Sequence, residues 1–365
     1  MTVLNTTMLG LFPSFERIGG VETSGRVGWE PFAREPDKHQ LFCYGASDGP
    51  KSAQAGRHVY HSASKAQAVL KATVLNAAEG RRVPGIVLVW HLGLLKLLPF
   101  MRLDHAKVAL FLHGVEAWKA QGLWTRQLLR RVDLFLSNSE HTWRGFTSFN
   151  PALENAPHRI VHLGIGEPSV QPAPLPGDPP AVLMIGRLLL GERYKGHHEM
   201  LAAWPRVLAR RPRAQLWIVG PGPLGAELQR KVNEQGLDRS VRIYGRLTED
   251  EKQDLLVRCR CLALPSRGEG FGLVYLEAMR VGRPCLVSDV DAGREVLNPP
   301  EAGLAVNPDD LEAVADATCR LLSAGPEWDR LSQQARLRYE ENFTAKHFQT
   351  RLLTALAELS PVKPR

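Results

Sequence analysis

A rhythm of short apolar runs constrains this chain more than any other feature. Twelve short stretches rich in Val, Ile, Leu and Phe recur at 3–9, 41–44, 86–90, 108–112, 134–137, 160–162, 182–185, 215–219, 241–244, 261–264, 285–288 and 304–306. Helical patterns lie between most of them, 64–78 and 124–131 among them, and the segment 327–359 is helical with polar breaks. Strict in-and-out alternation would mark a sheet wet on one face; continuous runs mean strands covered on both faces. Strands that alternate with helices imply parallel sheets joined by right-handed crossovers. The fold class is therefore α/β with doubly wound parallel sheets, and 365 residues suffice for two domains.

The boundary between them is compositional. Residues 167–180 hold six prolines in fourteen positions, which forbids a helix or an inner strand and gives a stiff linker. The expected organisation is an N-terminal Rossmann-like domain over 1–167, a linker over 168–180 and a second domain over 181–343. Residues 344–365 are expected to form a last helix that packs back on the first domain. Open parallel sheets bind ligands beyond the carboxyl ends of their strands, so two such domains are expected to face each other across a cleft.

Composition excludes several function classes. A chain 44% hydrophobic and 23% charged is neither disordered nor fibrous. Five cysteines without a CxxC pair make no disulfide framework and no zinc site, and suit a reducing cytoplasm. The first ten residues lack a basic region of the secretory type, and the apolar run 83–100 is broken by Pro84, His91, Lys96 and Pro99, so no membrane span is expected. The net charge of +8 is concentrated in residues 1–170, with 19 Lys+Arg against 13 Asp+Glu. Nothing resembling a nucleic-acid module accompanies it, so a phosphorylated substrate or a membrane surface is the expected anionic partner. Trp90, Trp118, Trp124 and Trp143 recur beside Arg126, Arg130, Arg131 and Arg144, a composition suited to peripheral contact with a bilayer at the inner face of the membrane.

The strongest constellation runs from Leu264 to Met279. A strand ends, the loop Ser266-Arg267-Gly268-Glu269-Gly270-Phe271-Gly272 follows, and a helix begins near Leu273. Backbone amides at such a helix start are suited to an anion, and the glycines allow close approach. Glu269 and Glu277 flank those amides. Carboxylates at both sides of an amide cradle repel phosphate but grip hydroxyls, which describes a nucleoside diphosphate sugar. A second cluster, Gly186-Arg187 and then Lys195-Gly196, supplies a planar fork and a point charge for a diphosphate. Cations there would offset charge growing on a leaving nucleoside diphosphate.

Residues 181–308 resemble the donor domain of GT-B glycosyltransferases of the large retaining family four. The matching pattern is the Gly-Arg strand end, the Lys-Gly helix start, the Gly-x-Gly turn and the two acids of an E-x7-E motif, Glu269 and Glu277. The resemblance implies that Arg187 and Lys195 hold the donor pyrophosphate and that Gly186 lies beside them. Glu269 would contact sugar hydroxyls, Glu277 the ribose, and the backbone of Gly270, Phe271, Gly272 and Leu273 would complete the cradle. Gly222 would line the nucleotide pocket, and Gly245 and Arg246 would meet the base. In the first half, Gly19-Gly20 resembles the family's glycine loop near the transferring sugar, and His113 the histidine that reaches the reaction centre. His113, Arg187, Lys195 and Glu269 are thus the implied catalytic set.

Two patterns point elsewhere. Gly220-Pro221-Gly222-Pro223-Leu224-Gly225 matches a dinucleotide fingerprint, but its prolines delete amide donors, and no acid ends the next strand. Asp289-Val290-Asp291 resembles a metal-binding DxD, yet Arg187 and Lys195 already neutralise the expected charge. No metal and no cofactor are expected. The resulting expectation is a retaining, metal-independent transfer of a hexose, with UDP-glucose first among donors, to an acceptor in exopolysaccharide or lipid-linked glycan synthesis. A sugar-nucleotide epimerase, a non-catalytic nucleotide-sugar-binding protein and a nucleic-acid glucosyltransferase are the alternatives.

Overall fold

The computed structural model describes residues 6–15, 19–45, 59–77, 84–103, 105–167 and 174–360. Residues 3–5 of the first expected strand, Ile18 of the glycine loop, Ala78 and residues 168–173 of the proline-rich segment lie outside them. The chain divides into two units, Met1–Ile165 with Ala345–Arg365, and Gly166–Thr344.

The first unit carries seven parallel strands: β1 (Met8–Pro13), β2 (Gln40–Tyr44), β3 (Val59–Ser62), β4 (Ile86–Val89), β5 (Lys107–Leu112), β6 (Leu134–Ser137) and β7 (His158–Ile160). Their order is β3-β2-β1-β4-β5-β6-β7. Helices α1 (Gly20–Ala33), α2 (Lys65–Ala77), α3 (Leu123–Leu129) and α4 (Glu140–Phe149) connect them, and a 3₁₀ segment, Leu92–Phe100, follows β4. All four β4 residues are buried, as expected for a strand covered on both faces. β1 begins where the expected run ends, because residues 9–13 are the ones that pair with residues 40–44 of β2. β3 has no apolar run to announce it; it is an edge strand paired in register with β2 alone. β7 likewise sits two residues earlier than expected.

The second unit has six parallel strands, β8 (Ala181–Ile185), β9 (Gln215–Val219), β10 (Val241–Gly245), β11 (Cys261–Leu264), β12 (Cys285–Ser288) and β13 (Gly303–Val306), in the order β10-β9-β8-β11-β12-β13. Helices α5 (His197–Arg210), α6 (Leu224–Glu234), α7 (Glu249–Arg258), α8 (Leu273–Arg280), α9 (Gly293–Leu297), α10 (Leu311–Leu322) and α11 (Pro326–Asn342) surround this sheet. The chain reverses its direction of winding between β8 and β11, which are hydrogen-bonded neighbours. That reversal opens a crevice at the carboxyl ends of the two central strands, the place where doubly wound sheets take their ligands.

The last helix, α12 (Ala345–Ala357), belongs to the first unit. Gly28 of α1 makes room for it: a methyl group there would lie 3.3 Å from both Phe348 and Leu352. Gln349 also donates to the Val27 carbonyl at 3.0 Å. No helix among the described residues is long and apolar enough to cross a membrane.

Candidate functional site

Because every strand of the second unit points the same way, the loops after β8, β9, β10, β11 and β12 leave one edge of the sheet. Arg187, Gly222, Arg246, Glu269 and Asp291 all lie on those loops, and Gly245 is the last residue of β10. The clusters around Lys195 and Glu269, 74 residues apart, are joined by four backbone and side-chain contacts. Arg267 N–H donates to the Tyr194 carbonyl at 2.7 Å. Gly196, at φ +83°, lies so close to β11's end that a Cβ would sit 2.7 Å from the carbonyl carbon of Pro265 and nearer still to its oxygen. A Cβ on Gly268 would meet the Tyr194 ring at 2.9 Å. Lys195 Nζ then donates to Glu269 Oε2 at 3.1 Å, with both side chains largely buried. Burial pulls the Lys195 ammonium down, but Glu269, Tyr194 and Glu192 outweigh it and raise it above the ordinary lysine value. It is a fixed cation.

Arg187 is paired too, with Glu192 of the 3₁₀ segment Leu190–Lys195. Glu192 is buried, and its Oε2 has no hydrogen-bond partner among the described residues. Lys195 and Arg187 thus each stand beside a carboxylate at this edge. Charge is matched locally, and a diphosphate entering there would compete with Glu192 for the Arg187 fork.

The backbone of Glu269 is clamped from β12's side. Its N–H donates to Asp291 Oδ2 at 3.2 Å, and its carbonyl accepts from Ala292 N–H at 3.2 Å. Asp291 also accepts from Gly293 N–H at 2.9 Å. Burial pushes its carboxyl up to about 7, against the pull of those amides. The second acid of the DxD sequence thus braces the glycine-rich loop. Beyond that loop α8 starts at Gly272, at φ +87°, with no side chain capping it. Phe271 is buried with its ring edge-on to Phe343 at 6.0 Å.

The second acid, Glu277 on α8, is half-buried, and its inaccessible Oε2 lies 3.1 Å from Lys252 Nζ of α7. Lys252 and Glu192 were missed by sequence reading. Lys252 meets Glu277 through tertiary packing, Glu192 meets Arg187 across a local loop, and neither residue stands in a motif.

The dinucleotide-like glycines serve the chain itself. A Cβ on Gly222, at φ +142°, would lie 2.5 Å from the Leu188 carbonyl carbon, and Leu224 N–H is spent on the Leu188 carbonyl at 2.8 Å. Gly220 N–H donates to the Gly245 carbonyl at 2.8 Å. These contacts hold the loop after β8 and leave those two amides none for a pyrophosphate. Arg246 is exposed.

In the first unit, His113 follows β5 and is buried over an aromatic stack. Its ring lies 4.8 Å from Phe111 and 5.4 Å from Trp90, and Trp90 stacks on Phe12 at 4.9 Å. His113 Nε2 is 2.6 Å from the Trp90 carbonyl. A carbonyl only accepts, so Nε2 carries the proton and Nδ1 is an acceptor. Burial holds the imidazole down to about 4, hence neutral at physiological pH. Gly19 precedes α1 and Gly20 opens it, again without a side-chain cap.

Three buried histidines predict acid sensitivity. Burial holds His39 at about 4, His113 at about 4 and His197 at about 3, while the unfolded chain titrates at 6.5. Between those values the unfolded state binds more protons, so stability is complete above pH 6.5 and falls as pH drops toward 4. Asp291 acts in the opposite sense over the same range. A difference measurement isolates one group: at pH 5, His113 costs about 2 kcal/mol relative to pH 7.5. Denaturant unfolding of His113→Gln should lose less stability than the parent by about that amount. Equal pH profiles would exclude the assignment.

Residues 179–324 match the family described as Glycosyl transferases group 1. The chain is 35% identical over 157 residues to the O-antigen chain mannosyltransferase C of Escherichia coli, covering 42% of this chain and 41% of that protein. It is 29% identical over 244 residues to a GDP-mannose-dependent monoacylated alpha-(1-6)-phosphatidylinositol monomannoside mannosyltransferase of Corynebacterium glutamicum, covering 60% and 61%. The chain thus spans less than two thirds of the length of these relatives. Among solved structures, Anabaena HepE in complex with UDP-glucose superimposes with a TM-score of 0.72 at 15% identity, over 97% of this chain and 100% of that one.

Proposed function

We propose that this chain, whose residues 179–324 are a group 1 glycosyl transferase domain in a GT-B fold, transfers a hexose from a nucleoside diphosphate sugar to an acceptor hydroxyl. The observation that carries the reading is the joining of Lys195 and Glu269 at the carboxyl ends of β8 and β11, with Arg187 on the adjoining loop. Lys195 and Arg187 are suited to the diphosphate, whose charge grows as the sugar departs. Glu269 would receive sugar hydroxyls and Glu277 the ribose. With two cations offsetting the leaving group, no metal is required. The departing phosphate can itself accept the acceptor's proton on the face it leaves, which retains the anomeric configuration. His113, with Nδ1 as an acceptor, is suited to a sugar hydroxyl rather than to a charged role.

UDP-glucose is the first donor to test, and GDP-mannose the second, because the named relatives include mannosyltransferases. A thermal-shift screen of nucleoside diphosphates and their sugars, followed by turnover in EDTA, separates the readings. An epimerase converts donor without acceptor, and a non-catalytic binder shows no slow hydrolysis. Glu277→Ala should weaken nucleoside diphosphate binding by about 10–100-fold, the loss of hydrogen bonds to a charged group. Glu269→Ala should leave that binding intact or tighter, since Lys195 is released, and should impair turnover. If both variants bind as the parent does, the roles of the two acids are wrong.

The acceptor is proposed to be a glycan or lipid-linked glycan met at an anionic membrane surface. Leu123 is 80% exposed and Trp124 59% exposed, at the start of α3. Arg126 and Arg130 follow Leu123 at helical spacings of three and seven, on the face away from buried Leu128 and Leu129. Apolar side chains flanked by arginines suit an anionic interface. Co-sedimentation with phosphatidylglycerol vesicles should fall at least about tenfold in the double variant Leu123→Ser, Trp124→Ser. Equal binding of parent and variant removes this contact.

A further inference from the structure

We infer that Lys252 is a positioning residue, holding the Glu277 carboxylate in the place and charge state that a ribose diol needs. The inference rests on the proposed role of Glu277. Two helices build the arrangement. A capping box fixes the first turn of α7: Glu251 N–H donates to Thr248 Oγ1 at 3.2 Å, and Thr248 N–H donates to Glu251 Oε2 at 2.8 Å. Lys252 follows on that rigid turn. Its Nζ lies 2.7 Å from Glu249 Oε2 and 3.1 Å from Glu277 Oε2 across on α8.

The 3.1 Å contact engages one side of the Glu277 carboxylate, through its buried Oε2. The ammonium therefore orients the carboxylate while leaving a lone pair for an incoming hydroxyl. Such an oxygen is costly to bury unless something else satisfies it.

The charged groups around Glu277 are few. Burial and Glu249 favour its protonated form, and Lys252 and Arg280 oppose them; the balance raises its carboxyl above the ordinary value. Lys252 itself stays charged, because Glu277 and Glu249 outweigh its burial. Removing the ammonium leaves only Arg280 against burial and Glu249. A protonated carboxyl then offers a diol one acceptor oxygen where a carboxylate offers two.

The test measures calorimetric binding of UDP and GDP, each beside its 2′,3′-dideoxy counterpart, from pH 6 to pH 9. The parent should prefer the ribose form by about tenfold or more across this range. Lys252→Met should lose much of that preference at the acid end of the range and recover it as pH rises and Glu277 ionises unaided. Lys252→Arg should behave as the parent. If Lys252→Met keeps the preference at every pH, Lys252 is a bystander. If it loses the preference at every pH, the melting temperature decides: a parental value means that the ammonium also sets the place of the carboxylate, and a lowered one means that the residue acts through folding and the inference fails. If the parent shows no preference, the ribose role of Glu277 fails first, and this inference with it.

Discussion

Lys195→Ala is expected to slow sugar transfer by about 10²–10³-fold, the usual loss when one fixed donor to a developing anion is removed. The expectation follows from burial and rigidity. The ammonium is 3.1 Å from Glu269, and its stem lies against Gly186, where an added Cβ would meet Lys195 Cδ at 3.2 Å. It cannot swing away, and no water-exposed lysine could replace it without reorganising. Lys195→Arg should not rescue, because a planar fork has neither the room nor the single-point geometry of the ammonium. Substitution also strands Glu269 as a buried acid, which destabilises the fold, so turnover is to be read on protein shown by circular dichroism to be folded. A folded Lys195→Ala enzyme with parental kcat would remove Lys195 from the chemistry.

Gly196→Ala is expected to be among the most damaging single methyl additions near the site. Two costs combine. At φ +83° any side chain meets left-handed strain of about 1–2 kcal/mol. The new Cβ also meets the Pro265 carbonyl carbon at 2.7 Å, and that backbone ends β11, so neither partner can yield cheaply. A total near 3–4 kcal/mol is expected, within the range of severe single substitutions. Gly236→Ala is the matched control: it has φ +66° but nothing within 4 Å of the added methyl. It should cost only the conformational term, about 1 kcal/mol. Denaturant midpoints of the two variants separate collision from strain. Equal losses would mean that the close approach at Pro265 relaxes freely.

The contact at Gly196 also explains why a Lys-Gly pair stands where it does. The lysine supplies the cation, and the glycine lets the helix that carries it approach the glycine-rich loop. Sequence reading recognised both clusters but had no means of measuring how tightly they join. Asp291 makes a related point. Its DxD spacing resembles a metal-binding motif, whereas its oxygens hold Glu269 N–H and Gly293 N–H at 3.2 and 2.9 Å. Spacing names the residue types, and packing assigns their partners.

What sequence alone determined is the part governed by local rules. Apolar runs required strands buried on both faces, and their alternation with helices required parallel sheets. These follow from periodicity, which acts over a few residues. Only the tertiary structure decided which charges meet: Arg187 with Glu192, Lys195 with Glu269, Lys252 with Glu277. The last two pairs join different elements, and the first closes between the loop after β8 and a 3₁₀ segment whose kink no repeat announces. An ion pair depends on distances of about 3 Å. Such distances are set by how helices and loops settle on the sheet, after the local rules have had their say.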